Sequence, residues 1–144
     1  MAKNLVFLDA DVLVSSLFSE KGASWEILKS KEIKKITSLT VEKEVIQVAQ
    51  EKLKIGSREV KIKLRNCPVK SLGIKKEELV EKYQGYVLHQ EDSHVVAGAH
   101  LLKAGFLLTY NSRHFCVDKI KNELGLIVLK PGFFLQYLRS KGKF

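Results

Sequence analysis

The sequence predicts an α/β sandwich in which a mainly parallel central sheet is flanked by helices. Short apolar runs bounded by charge, as at Asn4 to Leu8 and Phe106 to Tyr110, alternate with segments whose apolar residues recur at helical spacing. That alternation favours parallel strands, because parallel neighbours need long crossover connections and helices supply them. The chain has 144 residues, 45% hydrophobic and 28% charged, enough for one core, and no Pro-, Gly- or Ser-rich stretch divides it. One domain over residues 1–144 is therefore expected.

The first strand, Asn4 to Leu8, runs into Asp9 and then a helix carrying Val12, Leu13, Ser16 and Leu17. A turn at Lys21-Gly22 leads to a helix from Ala23 to Ser30, with Trp25 and Leu28 on one face, and Ile33 to Leu39 forms the next strand. Thr40 is expected to cap a helix reaching about Leu53, since Val41, Val45 and Val48 recur at helical spacing and Glu42 suits its positive end. Val60 and Leu64 suggest another helix, Cys67-Pro68-Val69 an extended stretch, and Glu77 to Tyr86 a further helix. Glu91 to Lys103 is helical, Phe106 to Tyr110 and part of Leu124 to Leu129 are strands, and Pro131 opens a last helix with Phe134, Leu135 and Leu138.

Composition limits the function classes. The net charge is +9, from 25 Lys and Arg against 16 Asp and Glu, an excess that attracts polyanions and makes RNA or DNA the natural partner. Many of the lysines, among them Lys29, Lys31, Lys34, Lys35, Lys61 and Lys63, are also expected simply on exposed helix faces. Asp9 and Asp11 interrupt the apolar start, and no run is long enough to span a bilayer, so a cytoplasmic protein without membrane contact is expected. Cys67 and Cys116 are too few and too far apart for a metal knuckle or a disulfide scaffold, and read as reduced packing residues.

The carboxylates carry the chemistry. Asp9 ends the first strand, where α/β sheets place functional groups, though an Asp there is also a good helix N-cap. Asp11 either joins it or faces solvent in the first helical turn, and the second is favoured. Glu44 lies about 40° from Val48 and about 60° from Val41 around its helix, so it flanks the buried stripe and needs a partner, a cation or an ion-pairing side chain. Asp92 shares a face with Val95, Val96 and Ala99 at a helix start, again as a site residue or as an N-cap.

Each lies beside a strand-to-helix junction, so a parallel sheet would gather them at one edge. Clustered carboxylates repel unless a cation neutralises them, and Mg²⁺ or Mn²⁺ fits such a set and acidifies a water for phosphodiester hydrolysis.

With these positions, the sequence resembles the PIN-domain ribonuclease family, in particular VapC-type and related toxin components of toxin–antitoxin systems. Val6-Phe7-Leu8-Asp9-Ala10-Asp11-Val12-Leu13-Val14 is similar to the family's opening strand and acidic residue, and Thr40-Val41-Glu42-Lys43-Glu44-Val45 to its second motif. Asp92-Ser93-His94-Val95-Val96-Ala97-Gly98-Ala99 resembles the third, and Phe106 to Phe115 the strand and turn of the fourth position. Lys130-Pro131-Gly132-Phe133-Phe134-Leu135 resembles the entry to the final helix.

The resemblance implies a PIN-like α/β/α sandwich and a Mg²⁺- or Mn²⁺-dependent endoribonuclease. Asp9, Glu44 and Asp92 would hold the metal, Asn111 would take the fourth position, and Arg113 and His114 would contact RNA. It also implies an RNA substrate, an antitoxin protein partner and a homodimer. Many members carry aspartate where this chain has Asn111, an amide that can ligate through oxygen but adds no charge. The alternative is a catalytically weak or inactive PIN-like module that binds RNA or a protein, while Asp118 is a candidate for an extra charge.

Other chemistries fit less well. Asp9-Ala10-Asp11 also resembles aspartyl-phosphate phosphatases, but that pattern calls for Thr or Val where Leu13 stands, and Thr109 to Phe115 lacks the paired aspartates. His89, His94, His100 and His114 form no i, i+4 pair beside a Glu, so a zinc-hydrolase motif is missing.

Overall fold

The computed structural model describes residues 4–142. Its core is a five-stranded, all-parallel sheet of order β3-β2-β1-β4-β5, built from β1 (Val6–Leu8), β2 (Lys35–Ser38), β3 (Val69–Lys70), β4 (Phe106–Leu108) and β5 (Ile127–Leu129). β1 and β4 are buried along their whole length, which explains why they read as unbroken apolar runs rather than alternating ones. The helices are α1 (Ala10–Phe18), α2 (Ala23–Lys29), α3 (Leu39–Lys52), α4 (Ser57–Lys63), α5 (Lys76–Tyr83), α6 (Ser93–Leu101), α7 (Val117–Leu124) and α8 (Pro131–Ser140). The α/β sandwich expected from the alternation is the one observed.

Right-handed crossovers place α1 to α4 over one face and α5 to α7 over the other. The packing agrees: α1 lies against α2 and α3, and α2 against α8, whereas α6 lies on β1, β2 and β4 with α5 beside it. Gly98 lets α6 come close to the sheet, since a Cβ there would sit 2.7 Å from the Phe7 ring. From β1 the chain first builds leftward to β2 and β3, then crosses to β4 and β5 on the other side. The switch point therefore falls between β1 and β4, where α/β sheets open a crevice beyond the strand ends.

Several local expectations shift. Ser38, not Thr40, caps α3, its hydroxyl accepting from Val41 N–H at 3.2 Å. Lys35 is buried on β2 rather than exposed on a helix, and its ammonium reaches the carbonyl of Ser30. α7 falls where no element was expected, although Val117, Ile120 and Leu124 follow helical spacing and Gly125, at φ 66°, ends the helix in the left-handed conformation. Cys67 and Cys116 are free thiols; burial pushes the Cys67 thiol up to about 12, consistent with an inert packing residue.

Candidate functional site

Asp9 continues the pairing of the two central strands, its N–H donating to Leu108 carbonyl at 3.1 Å. That contact sets it beside Thr109, the residue following β4. Asp9 is at the same time the N-cap of α1, with Oδ1 accepting from Ala10 N–H at 2.7 Å, while Oδ2 accepts from the Thr109 hydroxyl at 2.8 Å. The capping role and the site role are thus one arrangement.

Asp11 does not face solvent. Its Oδ2 accepts from Tyr110 N–H at 3.0 Å and from the Asn111 side-chain amide at 3.0 Å, and lies 3.3 Å from the Thr109 hydroxyl. Its Oδ1 is buried without a hydrogen-bond partner among the described residues. The loop after β4 therefore wraps one carboxylate oxygen in donors and leaves the other unpaired. Asn111 is fixed from both sides, because its own N–H donates to the Thr109 hydroxyl at 3.1 Å.

The other two predicted carboxylates form a second group. Glu44 is half-exposed and pairs with His94 Nε2 at 3.0 Å. The buried stripe of α3 runs through Val41, Glu42, Val45 and Ala49, so Glu44 lies about 110° from its centre instead of flanking it. Asp92 precedes α6 but makes no side-chain cap; its carboxylate lies 3.6 Å from His114 Nδ1, and the His114 ring packs edge-on against His89 at 5.3 Å. Arg113 is exposed in the same turn, Ser112–His114, and Asp118 is exposed in the first turn of α7.

The two groups are linked by charge. Burial, then the Asp11 carboxylate, push the Asp9 carboxyl up to about 7; the Thr109 and Ala10 donors oppose this, and Glu44 adds a further push. Burial also raises Asp11 against the donors of the 109–111 loop. Asp92 is raised by burial, opposed first by His114 and less by His94 and His89.

Among the described residues no three His, Cys, Asp or Glu side chains converge closely enough to hold a metal ion. Two carboxylates are enough for a hard cation that keeps most of its waters, and Asp9 with Asp11 matches that chemistry: both disfavour their charge, and one buried oxygen lacks a donor.

Sequence reasoning located Asp9 but undervalued Asp11, Thr109 and His94. The available signal for Asp11 was its spacing two residues after a strand-end carboxylate.

No family model matches the chain, and no curated protein matches it. Among solved structures the chain is similar to one from a toxin–antitoxin complex from Klebsiella pneumoniae, with 20% sequence identity, a TM-score of 0.63, and coverage of 88% of this chain and 97% of the other. At that identity the likeness establishes the shared fold. No helix among the described residues is long and apolar enough to cross a membrane.

Proposed function

We propose that the protein is a Mg²⁺- or Mn²⁺-dependent endoribonuclease of the PIN kind, the toxin of a toxin–antitoxin pair. The observation that carries this is the Asp9–Asp11 pair at the β1/β4 switch point, two carboxylates shared by the single hydroxyl of Thr109. Burial disfavours the ionised form of both in the apo protein, and the Asp11 charge adds to this at Asp9, so a divalent cation would relieve both. Asp9 and Asp11 would hold the ion, with Glu44 and Asp92 adding negative field from the neighbouring group. When bound, the ion supplies a Lewis acid that offsets phosphate charge and acidifies a water.

The chain's own groups fit the remaining tasks. Asn111 and Tyr110 N–H hold Asp11 in place. His114 and Arg113 sit in one turn beside Asp92, suited to contact a phosphate oxygen of RNA. The net charge of +9 favours capture of the polyanion. The neighbour from a toxin–antitoxin complex, although similar only in fold, supports an antitoxin partner; the homodimer is proposed on the sequence resemblance alone.

A second reading, a module that binds RNA or protein without cutting, has one observation in its favour: the Asn111 amide nitrogen, not its oxygen, faces Asp11, so residue 111 offers no ligating oxygen there. Cleavage of single-stranded RNA in Mn²⁺ titrations, with Asp9→Asn and Asp11→Asn beside wild type, separates the two. Metal-dependent cleavage lost in both variants is expected. RNA binding with no cleavage at any metal concentration would establish the module instead.

A further inference from the structure

We propose that the cavity beside Glu44 and His94 holds one unpaired nucleotide of a single-stranded RNA, next to the phosphodiester under attack; this rests on the nuclease function proposed above. The cavity is about 360 Å³ and lies between the start of α3, the 71–74 loop, α5 and the turn before α6. Its size is near the low end of small-molecule sites, roughly 300–1,000 Å³, which leaves room for a nucleoside.

Its lining reads as a base-and-phosphate site. Leu39, Leu72, Ile74, Leu79 and Val80 make aliphatic walls, and His94 supplies a ring. Thr40, Ser71 and Gln90 bring groups able to hydrogen-bond the edge of an unstacked base, the usual means of reading single-stranded RNA. Lys43 and Lys76 also line the cavity, and neither forms an ion pair among the described residues. Two acidic residues also line it: Glu44, engaged by His94, and Glu91, close enough to Asp92 to raise that carboxyl.

Two cations beside apolar walls fit an anionic ligand with an apolar body. An aliphatic peptide would fill the walls and leave both ammonium groups without a partner. Continuity with the acidic site is direct, because Glu44 and His94 belong to both.

The test is a methyl NMR titration of wild-type protein in EDTA with AMP, GMP, CMP and UMP, each to about 10 mM, since one nucleotide is expected to bind on the order of millimolar. Shifts are expected at Leu72, Ile74 and Val80, with one base preferred. Ile74→Trp, which fills the cavity, should weaken binding at least tenfold. The exposed change Lys76→Glu should weaken monophosphates more than nucleosides, and it keeps the test open if the Trp variant fails to fold.

Absence of shifts, or shifts that survive Lys76→Glu and Ile74→Trp alike, would overturn the proposal. So would shifts given by an acidic, leucine-rich peptide but by no nucleotide, which would assign the cavity to a protein partner. The titration needs no cleavage, so nucleotide binding without nuclease activity removes only the nuclease function, and RNA cleavage without nucleotide binding removes only the cavity's role.

Discussion

The Thr109 hydroxyl donates to Asp9 Oδ2 at 2.8 Å, tying the end of β4 to the end of β1 across 100 residues of chain. The Thr109 hydroxyl oxygen also lies 3.3 Å from Asp11 Oδ2, so one proton serves two carboxylates. Thr109→Val keeps the shape of the side chain and removes that donor. Asp9 would then favour its protonated form still more, and a cation would have to displace a more tightly held proton. Mn²⁺ affinity at pH 7.5 should fall about threefold to tenfold, on the scale of the net contribution of one ordinary hydrogen bond, about 0.5–1.5 kcal/mol. Isothermal titration checks this, and equal affinity in the two proteins would show that Thr109 does not organise the pair.

Asp9 also gives the apo protein a specific pH dependence. Its carboxyl is raised from 3.8 to about 7, so between those values the folded chain keeps a proton that the unfolded chain releases. The Asp9 contribution to stability is then largest below about pH 4, falls as pH rises toward 7, and levels off above it. Asp9→Asn removes this loss. The variant should be more stable than wild type at pH 7.5 by on the order of 2 kcal/mol and little different at pH 4. Asp11, shifted in the same direction, leaves a smaller slope behind. Urea denaturation in EDTA at the two pH values measures it, and a variant less stable than wild type at pH 7.5 would contradict the assignment.

What could be read from the residues follows the range of the interactions involved. β1 and β4 were legible because a strand buried on both faces is an unbroken apolar run, and Asp9 because it ends one. The role of Asp11 was not, since its partners at 109–111 reach it only when β4 lies beside β1, a pairing that leaves no local mark. Asp92 had two local explanations, cap or site, and only the fold shows that its carboxylate turns to His114 instead of capping α6. Glu44 lies further from the buried stripe than the spacing of Val41, Val45 and Val48 implies, because the stripe turns through Ala49 toward Glu42. α7 carried a readable pattern, Val117, Ile120, Leu124 and Gly125, hidden by its short length.

The closeness of α6 to the sheet gives a prediction about stability. A Cβ on Gly98 would lie 2.7 Å from two atoms of the Phe7 ring, and Phe7 is fully buried in the strand that ends at Asp9. Alanine gains about 1 kcal/mol of helix propensity over glycine but overpacks this contact, at roughly 1–3 kcal/mol. Gly98→Ala should therefore be net destabilising by about 1 kcal/mol. Thermal unfolding checks the sign, and a raised midpoint would mean that Phe7 moves aside freely.

Asn111→Asp tests the site most directly. The wild-type amide donates to Asp11 Oδ2 at 3.0 Å, so it holds that carboxylate by hydrogen bonding rather than by offering an oxygen toward it. An aspartate removes the donor and faces Asp11 with a second negative charge. Without metal both effects act in one direction: the ionised form of Asp11 loses support, and the apo variant should melt lower than wild type at pH 7.5, with the gap closing at pH 5 as the carboxylates take up protons. With Mn²⁺ the effects oppose. Asp11 is less well held, but the ion gains another anionic oxygen, and a hard divalent cation gains more from an added charge than it loses from one hydrogen bond to its ligand. The variant should therefore bind Mn²⁺ more tightly, by at least threefold, while being less stable without it. Turnover need not follow affinity, because a third carboxylate at the ion also repels the incoming phosphate. Melting curves with EDTA and with saturating Mn²⁺, at both pH values, separate the contributions. A variant destabilised equally with and without metal, and binding it no more tightly, would show that residue 111 only shapes the loop and does not face the cation.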